Sequence, residues 1–340
     1  MRKLLYLAAL LLLAACENVI EVDFGEVEPQ MVLNAQLLSS EGPQAVFLSE
    51  STQKTIKPLK GADVTVEAGG KTYKAQEDPE WEGNGESSSA ALYWFEGGFP
   101  AGSEVKVTAS KGSYKAWGQA TVTQAPAILA VDTLRTTERD MDYTWEAFQV
   151  RIRFKDLPGT TYYQVGVHCV EQVALVDEAG EVSLTPENRM ELSMSGSNDP
   201  VLSGNATGLS IFSVEPTYLV FTDDLFQDQE ITLHLSVPMS RLTSYYYYWA
   251  SDFEPVYGVC SISLIPWLST ITKEEFQYLT ALNNLENFGY EAQIIVEPTT
   301  IPSNVNGGLG MVAVQARTEA AAIELPPQVF TFFNDEEYYE

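Results

Sequence analysis

The sequence predicts a mostly β protein: an N-terminal immunoglobulin-like or prealbumin-like β-sandwich, then a larger β-rich sandwich domain carrying one short α-helix. Three observations lead there. Short apolar runs alternate with period two along most of the chain, as half-buried strands require. Gly, Pro and Asn/Asp clusters punctuate them at short intervals, as sandwich turns require. Only one stretch, residues 273–287, has clear helical spacing.

The elements follow in order. Residues 31–37 and 45–48 are apolar strands. Residues 62–68 alternate, and Gly69-Gly70 turns them into 71–75, a hairpin signal. Residues 91–95, 104–109 and 116–122 complete a sandwich over 29–124. It lacks the Cys…Trp…Cys pattern of a disulfide-bridged immunoglobulin domain. Gln124-Ala125-Pro126 reads as a joint, and the second β-rich domain covers 125–340. There Phe148, Val150, Ile152 and Phe154 alternate with polar residues, 155–160 is a turn, and 162–170 is the next strand. Residues 193–210 form a Ser/Gly/Asn loop; 231–237 and 244–250 are further strands. In the helix, Thr272 and Glu275 form a capping box. Phe276, Leu279, Leu282 and Leu285 fall near one face, so the helix packs on a sheet. A Pro/Asn/Gly loop, 295–307, precedes a strand at 309–314.

The N-terminus carries a different signal. Arg2 and Lys3 precede an almost unbroken apolar run, 4–13, which ends in Leu13-Ala14-Ala15-Cys16. A membrane span needs about 20 apolar residues, so this run is too short to be one. Charge, apolar core, small residues and cysteine in that order define a lipoprotein signal peptide, 1–15, cut before Cys16. The Cys16 thiol then takes a diacylglyceryl group, and two or more acyl chains anchor a protein stably. Residues 16–28 are an acidic tether, similar in composition to the export tags of some surface lipoproteins. No later segment is apolar enough to cross a membrane as a helix.

The formal charge is −28, and losing the two positive charges of Arg2 and Lys3 takes it to −30. Such a surface repels nucleic-acid phosphates and excludes that class of partner. It favours solubility, and it tolerates cationic partners. After Cys16 only Cys169 and Cys260 remain. They could form one disulfide in an oxidising compartment or stay as two buried thiols; both readings are open.

Signals for an enzyme are thin. His168 and His234 are the only histidines, too few for a zinc site, and C-x-x-C is absent. His168 and Cys169 are strand neighbours and point to opposite faces, which argues against a dyad. No nucleophile elbow, phosphate loop or dinucleotide fingerprint occurs. No cofactor and no metal are called for. Asp223-Asp224 and Asp252 read as solvated turn residues rather than calcium ligands, and Gly307-Gly308-Leu309-Gly310 as a tight turn or bulge. The run Tyr245-Tyr246-Tyr247-Tyr248-Trp249 is the most unusual local feature. Tyr245, Tyr247 and Trp249 share one face of a strand; they could stack on a glycan or peptide, or be ordinary strand aromatics.

Several motifs recur together. Phe154-Lys155-Asp156-Leu157-Pro158-Gly159, Tyr162-Tyr163, Phe221-Thr222-Asp223-Asp224-Leu225-Phe226, a Tyr-bearing helix, and 302–310 stand in an order that resembles a family of Bacteroidetes-type outer-membrane lipoproteins built on a domain of unknown function. Residues 61–66 and the tether share in the likeness; the family usually has a larger apolar residue near Met311. The resemblance implies a non-enzymatic lipoprotein of the outer membrane, and the acidic tether points to exposure on the cell surface. It implies an accessory or partner of a TonB-dependent transporter, a plugged barrel that imports nutrients. It implies no catalytic residues. A surface glycan- or peptide-binding module using the aromatic strand is the second expectation, and a hydrolase the third.

Overall fold

The computed structural model describes residues 28–52, 55–81, 89–140, 143–196, 199–203, 217–242, 255–289 and 300–331. Cys16, nearly all of the tether, and the expected strand 244–250 with Tyr245, Tyr247 and Trp249 lie outside the described residues.

The first sandwich contains β1 (Gln30–Leu38), β2 (Gly42–Ser51), β3 (Ile56–Pro58), β4 (Asp63–Ala68), β5 (Lys71–Glu77), β6 (Ala91–Gly97), β7 (Glu104–Lys111) and β8 (Tyr114–Thr121). Alternation turns one side of each strand inward. Met31, Leu33, Ala35 and Leu37 of β1, and Val105, Val107 and Ala109 of β7, are fully buried. β1, β2 and β6 form one layer, and β4, β7 and β8 the other. β5 passes between layers: it pairs with β4 over most of its length and reaches β6 through Gln76 and Glu77.

The second sandwich contains β9 (Ala127–Asp140), β10 (Tyr143–Lys155), β11 (Tyr162–Asp177), β12 (Val182–Leu184), β13 (Asn188–Glu191), the short helix α1 (Pro200–Ser203), β14 (Leu219–Thr222), β15 (Glu230–Pro238), β16 (Pro255–Ile271), α2 (Lys273–Gly289), β17 (Leu309–Glu319), β18 (Ile323–Glu324) and β19 (Gln328–Thr331). β11 and β16 pair antiparallel along nearly their full length. The far edge of β11 takes β14, β13 and β12 in turn, and the far edge of β16 takes β17, β18 and β19. A separate sheet, β15-β10-β9, packs on this one. Val150, Ile152, Phe154, Leu233 and Leu235 fill the space against Tyr163, Val165, Val167, Leu264 and Leu268. The chain is thus mostly β, two packed sandwiches with one helix longer than a single turn or so among the described residues.

β17 joins the two halves. Its first part runs parallel to β1, from Val32↔Leu309 to Leu38↔Gln315, and Val312 and Val314 enter the first core. Its last part pairs antiparallel with β16, from Ala316↔Thr270 to Glu319↔Trp267. The first sandwich therefore borrows a strand from the far end of the chain, which a division at 124/125 leaves out. Local periodicity carries no information about a partner so distant in sequence. The joint is pinned beside this crossover. The Thr123 and Thr270 hydroxyls lie 2.7 Å apart, and Thr318 Oγ1 donates to the Pro126 carbonyl at 2.6 Å.

Two long strands, β9 and β16, have no counterpart in the strand pattern read from the sequence. β9 is polar along 132–140 because it is an edge strand, and β16 alternates Ser with apolar residues and holds Pro266. Helix α2 matches its expected span to within two residues. Leu279 is buried as expected and Phe276 and Leu282 pack beside it, but Leu285 is exposed.

Glycine is required where β17 enters. Gly310 has φ +113°, and a Cβ there would sit 2.2 Å from the Leu33 carbonyl oxygen. Gly308 meets the Met31 carbonyl oxygen at 2.4 Å. The tight-backbone reading of 307–310 fits this close approach, and Asn34 Oδ1 completes the seam by accepting from the Met311 N–H at 3.0 Å. Gly310→Ala should lower unfolding free energy by about 3 kcal/mol or more, through strain and displacement of β1. Chemical denaturation would measure this. A loss under about 0.5 kcal/mol, the range of ordinary surface changes, would contradict the account.

Candidate functional site

The outer face of the β11–β16–β17 sheet, opposite its core, carries a connected network of polar side chains. Register sets it up. Gln164, Ser269 and Arg317 stand in one cross-strand row, and Gly166, Trp267 and Glu319 in the next. Gln315 lies two residues before Arg317, hence on the same face. Gln36 and Leu38 of β1 continue that face into the first sandwich.

Trp267 is the floor. It is fully buried and lies across Gly166, where a Cβ would come within 2.3 Å of the ring. The Arg317 guanidinium sits on the ring at 3.7 Å from the centroid, a cation–π contact. Arg317 Nε donates to Ser269 Oγ at 3.2 Å and Nη2 to Gln315 Oε1 at 2.9 Å. The Gln315 amide nitrogen donates to Gln164 Oε1 at 2.8 Å and to Glu275 Oε1 at 2.7 Å.

Glu275 comes from the first turn of α2. Its backbone N–H donates to Thr272 Oγ1 at 3.2 Å, the expected half of a capping box. The reciprocal half is not made: the carboxylate turns to Gln315, because a sheet lies under the helix terminus. Glu275 is fully buried and its Oε2 has no partner among the described residues. Burial pushes its pKa up to about 7, against the opposing pull of the Gln315 hydrogen bond and of Arg317.

Beside this cluster, Arg189 Nη2 binds Glu319 Oε1 at 2.7 Å and donates to His168 Nδ1 at 2.9 Å. Burial first, then the positive charges of Arg189 and Arg317, push the His168 pKa down to about 4. His168 is therefore a neutral hydrogen-bond acceptor. A cleft of about 560 Å³ opens over the face, lined in part by Gln36, Gln164, Glu191, Tyr218, Gln315 and Arg317. Glu191 keeps an exposed side chain, yet the surrounding walls hold its pKa above the ordinary carboxylate value while Arg317 pulls it down.

The other sequence candidates fall elsewhere. Cys169 and Cys260 are both free and buried, so the disulfide alternative is corrected. Cys169 pairs with Leu264, and Cys260 with Val173, an offset of four residues on adjacent strands. That is roughly 13 Å along the strand, beyond disulfide reach. Burial, with Glu171 adding to it, pushes the thiols up to about 12 and about 11, so neither is a nucleophile at neutral pH. His234 is tied to the buried Asp199, which accepts its backbone N–H at 2.8 Å and caps α1 through the Val201 N–H at 2.8 Å.

Asp223 is no solvated turn residue, which corrects the expectation. It is fully buried and accepts the Thr161 N–H at 2.8 Å. Three of the recurring motifs, 154–159, 162–163 and 221–226, meet there. Phe154, Tyr163, Phe221 and Phe226 pack ring to ring, with Tyr163 stacked on Phe221 at 5.2 Å. Tyr163 Oη donates to Asp156 Oδ1 at 2.6 Å, and Asp156 Oδ2 accepts the Asp228 N–H at 2.8 Å. These three motifs clasp one end of the second core. Among the described residues, no group of three His, Cys, Asp or Glu is placed to hold a metal, and no helix is long and apolar enough to cross a membrane.

Fold and motifs together define a two-sandwich protein with a polar cleft on the shared sheet. The family described as a domain of unknown function (DUF4249) matches residues 17–321, and the chain belongs to it. No curated protein and no solved structure matches the chain. The Arg317 cleft is not foreseen from the sequence, where its one visible trace is the Gln-x-Arg-x-Glu alternation at 315–319.

Glu275 yields a pH prediction. Its unfolded carboxyl titrates near 4.5 and its folded one near 7. Between those values the folded state holds a proton that the unfolded state has released, so stability falls as pH rises through this window. Glu275→Gln should be more stable than wild type by roughly 1–3 kcal/mol at about pH 8, the gain shrinking toward about pH 4.5. Denaturation midpoints across pH would check it, and a gain that does not vary with pH would contradict it.

Proposed function

We propose that the chain is an exported binding protein, anchored in the outer membrane by lipid on Cys16, and that it serves as a non-enzymatic accessory or partner of a TonB-dependent nutrient transporter. The observation that carries this reading is the N-terminal order: Arg2-Lys3, the apolar run 4–13, Ala14-Ala15 and Cys16. That order supplies a route across the inner membrane and a single lipid-accepting thiol. The transporter partner is drawn from the family resemblance in residues 154–163, 221–226 and 302–310.

The chemistry of the described side chains supports binding over catalysis. Both described cysteines are protonated thiols in a core. His168 is held neutral between Arg189 and Glu319, and His234 is fixed by Asp199. A thiol nucleophile needs a depressed pKa, and burial pushes those of Cys169 and Cys260 up instead. A cleft built on paired strands is instead a rigid surface for recognition.

Metabolic labelling with a fatty-acid probe tests the anchor. Wild type should label and sediment with outer membranes; Cys16→Ser should do neither. The transporter partner is tested by purification in mild detergent, where a TonB-dependent barrel should co-elute. An unlabelled wild type would overturn the anchor, and recovery of the lipoprotein alone would overturn the partnership.

A further inference from the structure

We infer that the cleft on the shared sheet is a carboxylate-binding site whose principal ligand-holding groups are Arg317 and Gln164. The inference holds whichever partner the lipoprotein has at the membrane.

The argument begins with unspent donors. A guanidinium carries five N–H groups. Arg317 commits one to Ser269 Oγ and one to Gln315 Oε1. The other three, on Nη1 and Nη2, have no partner among the described residues, and Arg317 takes part in none of the ion pairs found there. Its surroundings are far from open water: burial is the leading influence on its pKa and lowers it. A partly desolvated cation without a bonded counter-ion is costly, and such charges are ordinarily paired. Gln164 adds to the imbalance. It is buried, its Oε1 accepts from Gln315, and its two amide N–H groups have no partner among the described residues. Three neighbouring acceptor oxygens are committed, Gln315 Oε1 to Arg317 itself, Glu275 Oε1 to Gln315 and Glu319 Oε1 to Arg189, and the nearby Glu191 carboxylate and Glu275 Oε2 make no hydrogen bond to Arg317 or Gln164.

Geometry fixes what those donors can hold. The guanidinium lies on Trp267, and Trp267 on Gly166, so the plane of the fork is set by a fully buried ring. The free edge formed by Nη1 and Nη2 matches the spacing of two carboxylate oxygens. Gln164 stands in the same cross-strand row, two strands away. Both residues line the cleft, whose volume of about 560 Å³ is ample for an organic acid larger than acetate.

Charge selects a carboxylate over a phosphate. Two guanidiniums, Arg317 and the Glu319-paired Arg189, face three carboxyls there, Glu191, Glu275 and Glu319. A monoanion adds a single negative charge opposite the Arg317 fork. A dianionic phosphate would add a second negative charge to a site already bordered by three carboxyls.

Calorimetric titration of the full mature chain in detergent tests this. The probes are acetate, glucuronate and N-acetylalanine, with glucose and N-acetylalanine amide as neutral counterparts; the two larger acids separate a sugar acid from a peptide C-terminus as the source of the carboxylate. At least one acid should bind, with its neutral counterpart weaker by about tenfold or more, the scale of a charge-assisted bidentate contact. Arg317→Gln should lose that preference. Arg317→Lys, which keeps charge and stem but not the fork, should weaken binding severalfold, and Gln164→Leu should do so with Arg317 intact. Three results would each overturn the proposal: no binding by any acid, equal binding of acid and neutral probes, or undiminished acid binding by folded Arg317→Gln and Gln164→Leu.

Discussion

The rest of the molecule depends on β17 hydrogen-bonding to strands of two different sandwiches. It lies parallel to β1 at its start and antiparallel to β16 at its end. A strand cannot serve two sheets unless those sheets share a plane at the point of handover. The glycines at 307–310 allow the approach, since any side chain at Gly310 would meet the Leu33 carbonyl. The threonine contacts at 123, 270 and 318 then fasten the joint at the same height. The sandwiches are therefore coupled by backbone hydrogen bonds rather than by a flexible linker.

The cleft is a consequence of that coupling. Its walls come from β1, β11, β13 and β17, so it is complete only when the halves are in register. The polar layer beneath it is costly by ordinary accounting. Glu275 is buried with one oxygen unpartnered, Trp267 has an indole N–H in the same state, and Arg317 is partly desolvated. The second core beside it is dominated by Phe, Leu, Val and Ile, which shows that the fold had an apolar alternative. Keeping charge where hydrophobic packing would be more stable is characteristic of sites that bind something.

Legibility in the sequence followed the range of each interaction. Strands with clean alternation, such as β4, β7 and β10, were readable because their faces are set by neighbours two residues apart. So was α2, with its Thr272 cap. β9 was hidden because an edge strand facing water needs few apolar residues, and β16 because its serines sit on the polar outer face. The β1–β17 pairing and the row Gln164–Ser269–Arg317 depend on residues from 48 to 277 positions apart, which no local pattern encodes. Asp156, Tyr163 and Asp223 stood out as motif residues, but only the fold shows that they meet in one buried clasp. The sequence left Cys169 and Cys260 open as a disulfide or two buried thiols; they lie on adjacent strands, but the register sets them four residues out of step.

The central claim is that β17 makes one cooperative unit of two sandwiches. Differential scanning calorimetry of the mature chain, with intrinsic fluorescence followed in parallel, tests it most directly. A single transition, with equal calorimetric and van't Hoff enthalpies and coincident probes, is the predicted result. Two separable transitions, each with the enthalpy of half the chain, would show that the sandwiches fold independently and that the shared strand does not couple them.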